Sequence, residues 1–237
     1  MTDAEFLASY DATQFERPSV AVDVALLTVA DGVLRALVVE RAEPPQAGLS
    51  CLPGVFVHMD ESLEDAARRA LAAKAGITAD VFLEQLYTFG EPARDPRTRV
   101  ISVTYYALVA PETLAGADLR RVRVAWEGEA GGAVEVMSAD GRPLPLAFDH
   151  AEILGMAVKR LRGKLDYSPI GFQLLPEHFT LRRLQDVHET ILGRALNKDS
   201  FRRRMLALGQ LEATGTREDD VEHRPAELYR FTHSSAV

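Results

Sequence analysis

One amphipathic helical segment, LPGVFVHMDESLEDAARRALAAKAGI (52–77), lies between two pairs of β-rich runs, and this alternation limits the fold more than any other feature of the chain. On its N-terminal side, SVAVDVALLTVA (19–30) and DGVLRALVVER (31–41) meet at an Asp-Gly turn, the strongest short hairpin signal present. On its C-terminal side, FLEQLYTFG (82–90) and TRVISVTYYALVA (98–110) read as strands around the loop EPARDPR (91–97), which is rich in proline and charge. With the helix over about 61–75, strands alternating with an isolated helix predict an α/β or α+β domain.

Residues 112–148 are less legible: GEAGGAVEVMSADGRPLP holds turn residues and one strand. AFDHAEILGMAVKRLRGKL then opens a helix at an Asp149 N-cap, with Ile153, Ala157, Arg160 and Leu161 at helical spacing. DYSPIGFQLLPEHF, with Pro169 and Pro176, reads as an extended connection, so the domain boundary is placed there, dividing the chain into 1–165 and 166–237. Two short helices follow. In the first, Thr180 is the cap, Leu184, Val187, His188, Ile191 and Leu192 form the apolar stripe, and Gly193 is the stop. In the second, Asn197 is the cap, Phe201, Met205 and Leu208 face inward, and Gly209 is the stop. QLEATGT and PAELYRF are then two strands around the polar tip REDDVEHR. Two helices and a hairpin make a winged helix-turn-helix, a DNA-reading module.

Charge divides the same way. Residues 1–159 carry 14 Lys/Arg against 24 Asp/Glu, whereas residues 160–237 carry 13 against 11. The acidic total does not exclude nucleic acid, because local arginine clustering sets the field at a binding surface. On the second C-terminal helix Arg203 projects opposite the apolar face, with Arg202 and Arg204 beside it, and guanidinium forks suit guanine edges and phosphates. Lys198, Arg182, Arg183, Arg217 and Arg224 are candidate phosphate contacts. The longest apolar run is too short to span a bilayer, no secretory signal opens the chain, and the single Cys51 fits a reducing cytoplasm.

Within 52–77 the residues Glu61, Arg69, Leu71, Gly76 and Ile77 resemble the Nudix box, G-x5-E-x7-R-E-U-x-E-E-x-G-U. In that alignment Val55 stands at the first glycine, and Ala70, Ala73 and Lys74 stand where three glutamates belong. Those positions fall within an arc of about 100° on one helix face, where carboxylates would converge on magnesium, a hard cation that takes oxygen ligands. With two alanines and an ammonium, that face has no metal site and no glutamate base. Glu61 and Arg69 are expected as a structural ion pair.

Four further segments carry a wider resemblance: YDATQFERPSVAVDVALLTV, LYTFGEPARDPRTRVISVTYYALV, LAFDHAEI and FTLRRLQDVHETILGRALNKDSFRRRMLALGQLEATG. In this order the chain resembles the Nudix-related transcriptional regulators of NAD metabolism, the NrtR family. The resemblance implies a Nudix-like mixed-sheet domain followed by a winged helix. It further implies a homodimeric DNA-binding repressor, not an enzyme, which senses ADP-ribose or a related nucleotide without a cofactor. In Nudix-like folds Arg41, Phe56, Lys74 and Arg94 occupy elements that face the cleft; the cations can pair with a diphosphate and the ring can stack on a base. His150 is expected to be structural. Two rival readings are a Nudix hydrolase using displaced acids such as Glu61, Glu64 and Asp65, and a DNA binder indifferent to ligand.

Overall fold

The computed structural model describes residues 1–114, 116–165, 167–219 and 224–232. A short helix, α1 (Asp3–Ser9), has no buried residue and leads to β1 (Ser19–Ala30). Eight consecutive residues of β1, from Val22 to Val29, are buried. An unbroken rather than alternating apolar run marks a strand covered on both faces. Asp31 and Gly32, with φ of 52° and 66°, supply the two left-handed residues that turn β1 into β2 (Val33–Leu37). The hairpin expected at Asp-Gly is present. Next come β3 (Val39–Glu40), β4 (Ser50–Cys51) and β5 (Gly54–Phe56).

Helix α2 (Leu63–Ala75) falls where the sequence predicts it. Ser62 and Asp65 form a capping box at its start, and Gly76 closes it in the left-handed conformation, φ 68°. Strands β6 (Phe82–Phe89) and β7 (Val100–Leu108) follow, then β8 (Leu119–Arg123), β9 (Glu135–Met137) and β10 (Pro143–Leu144). The main sheet runs β10-β9-β8-β2-β1-β7-β6, with β5 against β1. Only β1 and β7 pair in parallel among its neighbours, so the sheet is mixed.

One face of β1 sends Val22, Val24 and Leu26 into a cluster with Ala66, Ala67, Ala70 and Leu71 of α2. The other sends Ala25, Leu27 and Val29 toward Ile153, Leu154 and Ala157 of α3 (His150–Lys164). This second cluster runs on without a break into Leu184, Val187, Ile191 and Phe201. The two halves of the chain therefore share apolar contacts.

The segment read as an extended connection is instead a 3-10 helix over Pro169–Leu174, with Pro169 in its first turn. Proline is tolerated there because that N–H has no intrahelical partner to lose. Phe172 of this helix stacks on Phe231 at 4.6 Å and lies 5.7 Å from Phe179. Strand β11 (Phe179–Thr180) leads into α4 (Leu181–Leu192), capped by Thr180 and closed by Gly193, φ 71°. Then α5 (Lys198–Ala207), capped by Asn197, is followed by β12 (Leu211–Arg217) and β13 (Glu227–Phe231). The small sheet is ordered β11-β13-β12, which completes a winged helix. Leu208, expected inside, is 51 % exposed because α5 ends at Ala207 and leaves it at the C-cap. Part of the wing tip lies outside the described residues.

Candidate functional site

A cleft of about 510 Å³ opens between β1, the loop after β3, the box loop, α2 and the 91–97 loop. The four residues singled out for it, Arg41, Phe56, Lys74 and Arg94, all line this one cavity. Their situations differ. Arg94 is nearly buried, its Nε and Nη2 donating to the two oxygens of Asp149 at 2.8 and 2.6 Å, with Asp23 at 3.5 Å. Burial works against its charge, but Asp149 and Asp23 outweigh burial, and the Arg94 pKa is raised. Arg41 donates to the carbonyls of Pro45 and Glu43 at 3.0 and 3.2 Å and lies over the Phe148 ring at 4.7 Å. Phe56 is 44 % exposed, and the Arg97 guanidinium lies 5.4 Å from its ring centre.

Among the cleft's cations, Arg69 is paired with Glu61, Arg94 with Asp149, and Arg97 with Asp95. Among the described residues, Arg41 and Lys74 have no ion pair with a carboxylate. Both are close enough to Cys51 that their charges oppose the rise that burial gives its thiol pKa. The cleft thus holds two cations that no carboxylate pairs with among the described residues.

Glu61 and Arg69 form the expected ion pair, at 2.6 and 2.9 Å. Glu61 also accepts from the His58 N–H at 2.7 Å, and Arg69 donates to the Phe56 carbonyl at 2.8 Å. The pair therefore shapes the loop that carries Phe56. Arg69 first, then the His58 N–H, hold the Glu61 pKa down to about 2.

Of the three box positions without acids, only Lys74 lines the cleft; Ala70 is fully buried against β1, and Ala73 is exposed. The close backbone approach falls at Gly54, one residue before Val55. A Cβ there would meet Asp23 Oδ1 at 2.1 Å and the Val22 carbonyl at 3.2 Å. The displaced acids have other partners: Glu64 holds Arg68 at 2.9 Å, and Asp65 accepts from Ser62 Oγ at 2.7 Å. Among the described residues, no three of His, Cys, Asp and Glu are grouped so as to hold a metal ion.

Sequence reasoning missed Asp23, Phe148 and Arg97. Asp23 is a buried carboxylate on an apolar strand, accepting from Ser102 Oγ at 2.6 Å and facing His150 Nε2 at 3.7 Å. An aspartate inside VAVDVALLTV was the available signal, because a buried charge requires partners. His150, expected to be structural, lines the cleft while bracing its wall: its Nδ1 accepts the Leu52 N–H at 2.9 Å, which places the ring proton on Nε2. Burial lowers its pKa despite the nearby Asp23 and Asp149.

On the winged helix, α5 buries Phe201 and Met205 and leaves Arg202, Arg203 and Arg204 exposed side by side. His188 of α4 meets the Phe201 ring edge-on at 5.0 Å, so the helix is seated by aromatic packing. Arg204 lies 5.7 Å from the Phe201 ring centre. Lys198 is exposed in the first turn. Arg182 pairs with Asp186 one turn along at 2.7 Å, and Arg217 donates to the Pro225 carbonyl at 3.1 Å near the wing, beside exposed Arg224. Arg183 instead reaches across to Glu112, in a groove shared with the Asp31–Gly32 turn, so it is at the junction of the two halves. No helix among the described residues is long and apolar enough to cross a membrane.

Residues 17–152 match the NUDIX domain family, and residues 171–231 match the NrtR DNA-binding winged helix domain. An ADPR responsive transcriptional repressor, NtrR, of Acinetobacter baylyi is 35 % identical over 232 residues, 97 % of this chain and 88 % of that protein. The crystal structure of Shewanella oneidensis NrtR complexed with a 27mer DNA is 34 % identical with a TM-score of 0.73, covering 90 % of this chain and 93 % of that one. The NUDIX domain of the same Shewanella protein, crystallised with ADP ribose, is 33 % identical with a TM-score of 0.50, covering 68 % of this chain and 99 % of that one. A mixed-sheet Nudix domain joined to an arginine-faced winged helix, matched over nearly its whole length, makes this chain a member of the NrtR family of DNA-binding transcriptional regulators.

Proposed function

We propose that this protein is a homodimeric repressor whose cleft binds ADP-ribose without cleaving it, and that the bound ligand weakens its hold on operator DNA. The observation that carries this reading is the cleft itself: an open aromatic ring beside two uncompensated cations, with Lys74 where a metal-binding acid would stand. Two positive charges match a diphosphate, and a point charge on a flexible stem can serve a phosphate where Mg²⁺ would otherwise bridge it. Arg41 and Lys74 hold the diphosphate, and Phe56, backed by Arg97, stacks on the base. The Acinetobacter repressor's response to ADPR and the ADP ribose held by the Shewanella domain support the choice of ligand.

On this reading residues 1–165 are the sensor and 166–237 the reading head, working in a reducing cytoplasm. Arg203 reads a base, flanked by Arg202 and Arg204, while Lys198, Arg182, Arg217 and Arg224 position the duplex through its phosphates. A single winged helix covers too little DNA for tight binding, so two copies read a palindrome whose half-sites lie about one or two helical turns apart. Titration of promoter DNA with and without ADP-ribose, beside an assay of AMP release with Mg²⁺, tests the proposal. Loss of operator affinity with no turnover is expected. Turnover abolished by Glu61→Gln would revive the hydrolase reading, and absence of ADP-ribose binding by calorimetry would remove the sensor.

A further inference from the structure

Among the described residues, four of the five α-helices start in the ordinary way. Thr2, Ser62, Thr180 and Asn197 have extended backbone and a side-chain oxygen that accepts an N–H of the first turn. Helix α3 is the exception. Its N-cap Asp149 has φ −96° and ψ 18°, and its carboxylate accepts no N–H of the helix. Both oxygens are taken by the Arg94 guanidinium instead. The residue before it, Phe148, is left-handed at φ 53°, a costly conformation for a side chain of this size. It is held there by its N–H, which donates to Gln46 Oε1 at 2.8 Å, and by Arg41 over its ring. His150, the residue after, accepts the Leu52 N–H. Three consecutive residues thus fasten three walls of the cleft to the start of one helix.

The far end of α3 is fastened to the winged helix. Arg162, 6 % exposed, donates to the carbonyls of Ile191, Trp126 and Gly128 at 2.8, 3.0 and 3.1 Å and stacks on the Trp126 ring at 4.6 Å. Ile191 is in the last turn of α4, so this buried cation meets the negative end of that helix. From Asp149 to Arg162 is about 20 Å along the helix axis, at about 1.5 Å per residue.

We propose that Asp149 is the positioning residue through which an occupied cleft acts on the winged helix. A diphosphate-bearing ligand draws Arg94 toward itself, and the released carboxylate turns to cap α3. This rests on the reading of the cleft as an ADP-ribose sensor. Two arrangements compete for the same carboxylate: one pairs it with Arg94, and the other gives it the amides of α3 while Arg94 serves the phosphates. The ligand favours the second because only there is Arg94 available, which is the differential affinity that a shift of state requires. Capping needs extended backbone at Asp149, so the Phe148–Asp149 joint rotates and relieves the left-handed residue. The start of α3 moves, and Arg162 carries the movement to the end of α4.

Asp149→Asn tests this in the full-length protein on promoter DNA. Asparagine caps as well as aspartate but cannot hold Arg94 as an ion pair. Ligand-free Asp149→Asn should bind operator as weakly as ligand-saturated wild type. Its ratio of operator affinities with and without ADP-ribose should fall to within about twofold of one, from a wild-type ratio in the usual allosteric range of about 5–150. Its ADP-ribose affinity by calorimetry should rise, because Arg94 has lost the carboxylate that binds it through both oxygens and keeps only Asp23 at 3.5 Å. Hydrogen exchange gives a second measurement: in wild type, ADP-ribose should slow the amide of Ala151, where a capping carboxylate bonds; the Glu152 N–H already donates to the Asp149 carbonyl at 3.0 Å. If Asp149→Asn keeps the wild-type ratio, or if the Ala151 amide does not change, the relay is wrong while the sensor reading stands. If wild type itself binds no ADP-ribose, both fall.

Discussion

Reversing the charge at Lys74 tests the cleft most directly, and its effect can be worked from simple electrostatics. Lys74 lines the cleft but is exposed on α2, so its field acts through a medium near water. At a separation of about 6 Å and an effective dielectric of about 40–80, each pair of unit charges interacts by about 0.7–1.4 kcal/mol, which physiological salt roughly halves. Taking about 0.4 kcal/mol per pair, Lys74→Ala removes one charge facing a diphosphate of two and costs about 0.8 kcal/mol, roughly fourfold in Kd. Lys74→Glu doubles that change to about 1.6 kcal/mol, roughly 15-fold. Calorimetric titration of ADP-ribose without metal reads both variants. The expected pattern is a Glu effect twice the Ala effect in free energy, shrinking to about two- or threefold for Glu in 1 M salt. Equal losses for Ala and Glu, or losses indifferent to salt, would refute the electrostatic argument and leave only packing at that position.

On DNA, Arg203→Ala should cost about 1–3 kcal/mol and relax preference at one position per half-site, whereas Lys198→Ala should weaken all sequences alike and lower the salt slope by about one. Binding measured across operator variants and ionic strengths separates the two. Gly155→Ala should be destabilising even though alanine in a helix interior usually gains about 1 kcal/mol. A Cβ there would lie 2.0 Å from the Gly132 carbonyl oxygen, a backbone atom that cannot swing aside. A net loss of about 1–2 kcal/mol should lower Tm by about 2–8 °C for a chain of this size. Folding stability should also fall below about pH 6.5, because His150 has a lowered pKa when folded and the unfolded chain takes up its proton first. Denaturation midpoints at pH 7.5 and 5.5 should show the loss, and His150→Gln, whose amide oxygen can accept the Leu52 N–H, should flatten it.

Local chemistry was legible wherever it decided the structure alone. The Asp31–Gly32 turn, the cap at Thr180, the stop at Gly193, and the split of α5 into an apolar and an arginine face could be read residue by residue. Strand β8 was not, because LRRVR places arginines on a largely solvent-facing strand where pairing, not propensity, holds them. The 3-10 helix at Pro169 was missed because two prolines signal a break without saying what fills the interval. In the cleft, spacing found the cations but not their partners. Asp23, Arg94 and Asp149 are joined across 55 residues or more, and only the folded sheet brings them together. The carboxylates at 23 and 149 hold Arg94, whereas no carboxylate pairs with Arg41 or Lys74 among the described residues.

The structure of α2 explains how a Nudix frame can keep its pocket without its acids. The loop carrying Phe56 is shaped by Glu61 and Arg69, and neither contact involves positions 70, 73 or 74. Ala70 fills part of the core against β1, where a carboxylate would need a partner, while 73 and 74 are exposed and fold equally well with many side chains. Three carboxylates at i, i+3 and i+4 would also repel one another on a helix unless a cation held them, at about 0.2–0.5 kcal/mol per pair. Without a metal to bind, replacing them stabilises the helix rather than weakening it. For a regulator the exchange has a further consequence. A cleft that destroys its effector reports only on the rate of supply, whereas one that binds and releases it intact reports on concentration, the quantity that sets occupancy at equilibrium. On the function proposed above, Lys74 at a metal-ligand position makes this the second kind of cleft: an ammonium can hold phosphates but cannot activate water as a metal does.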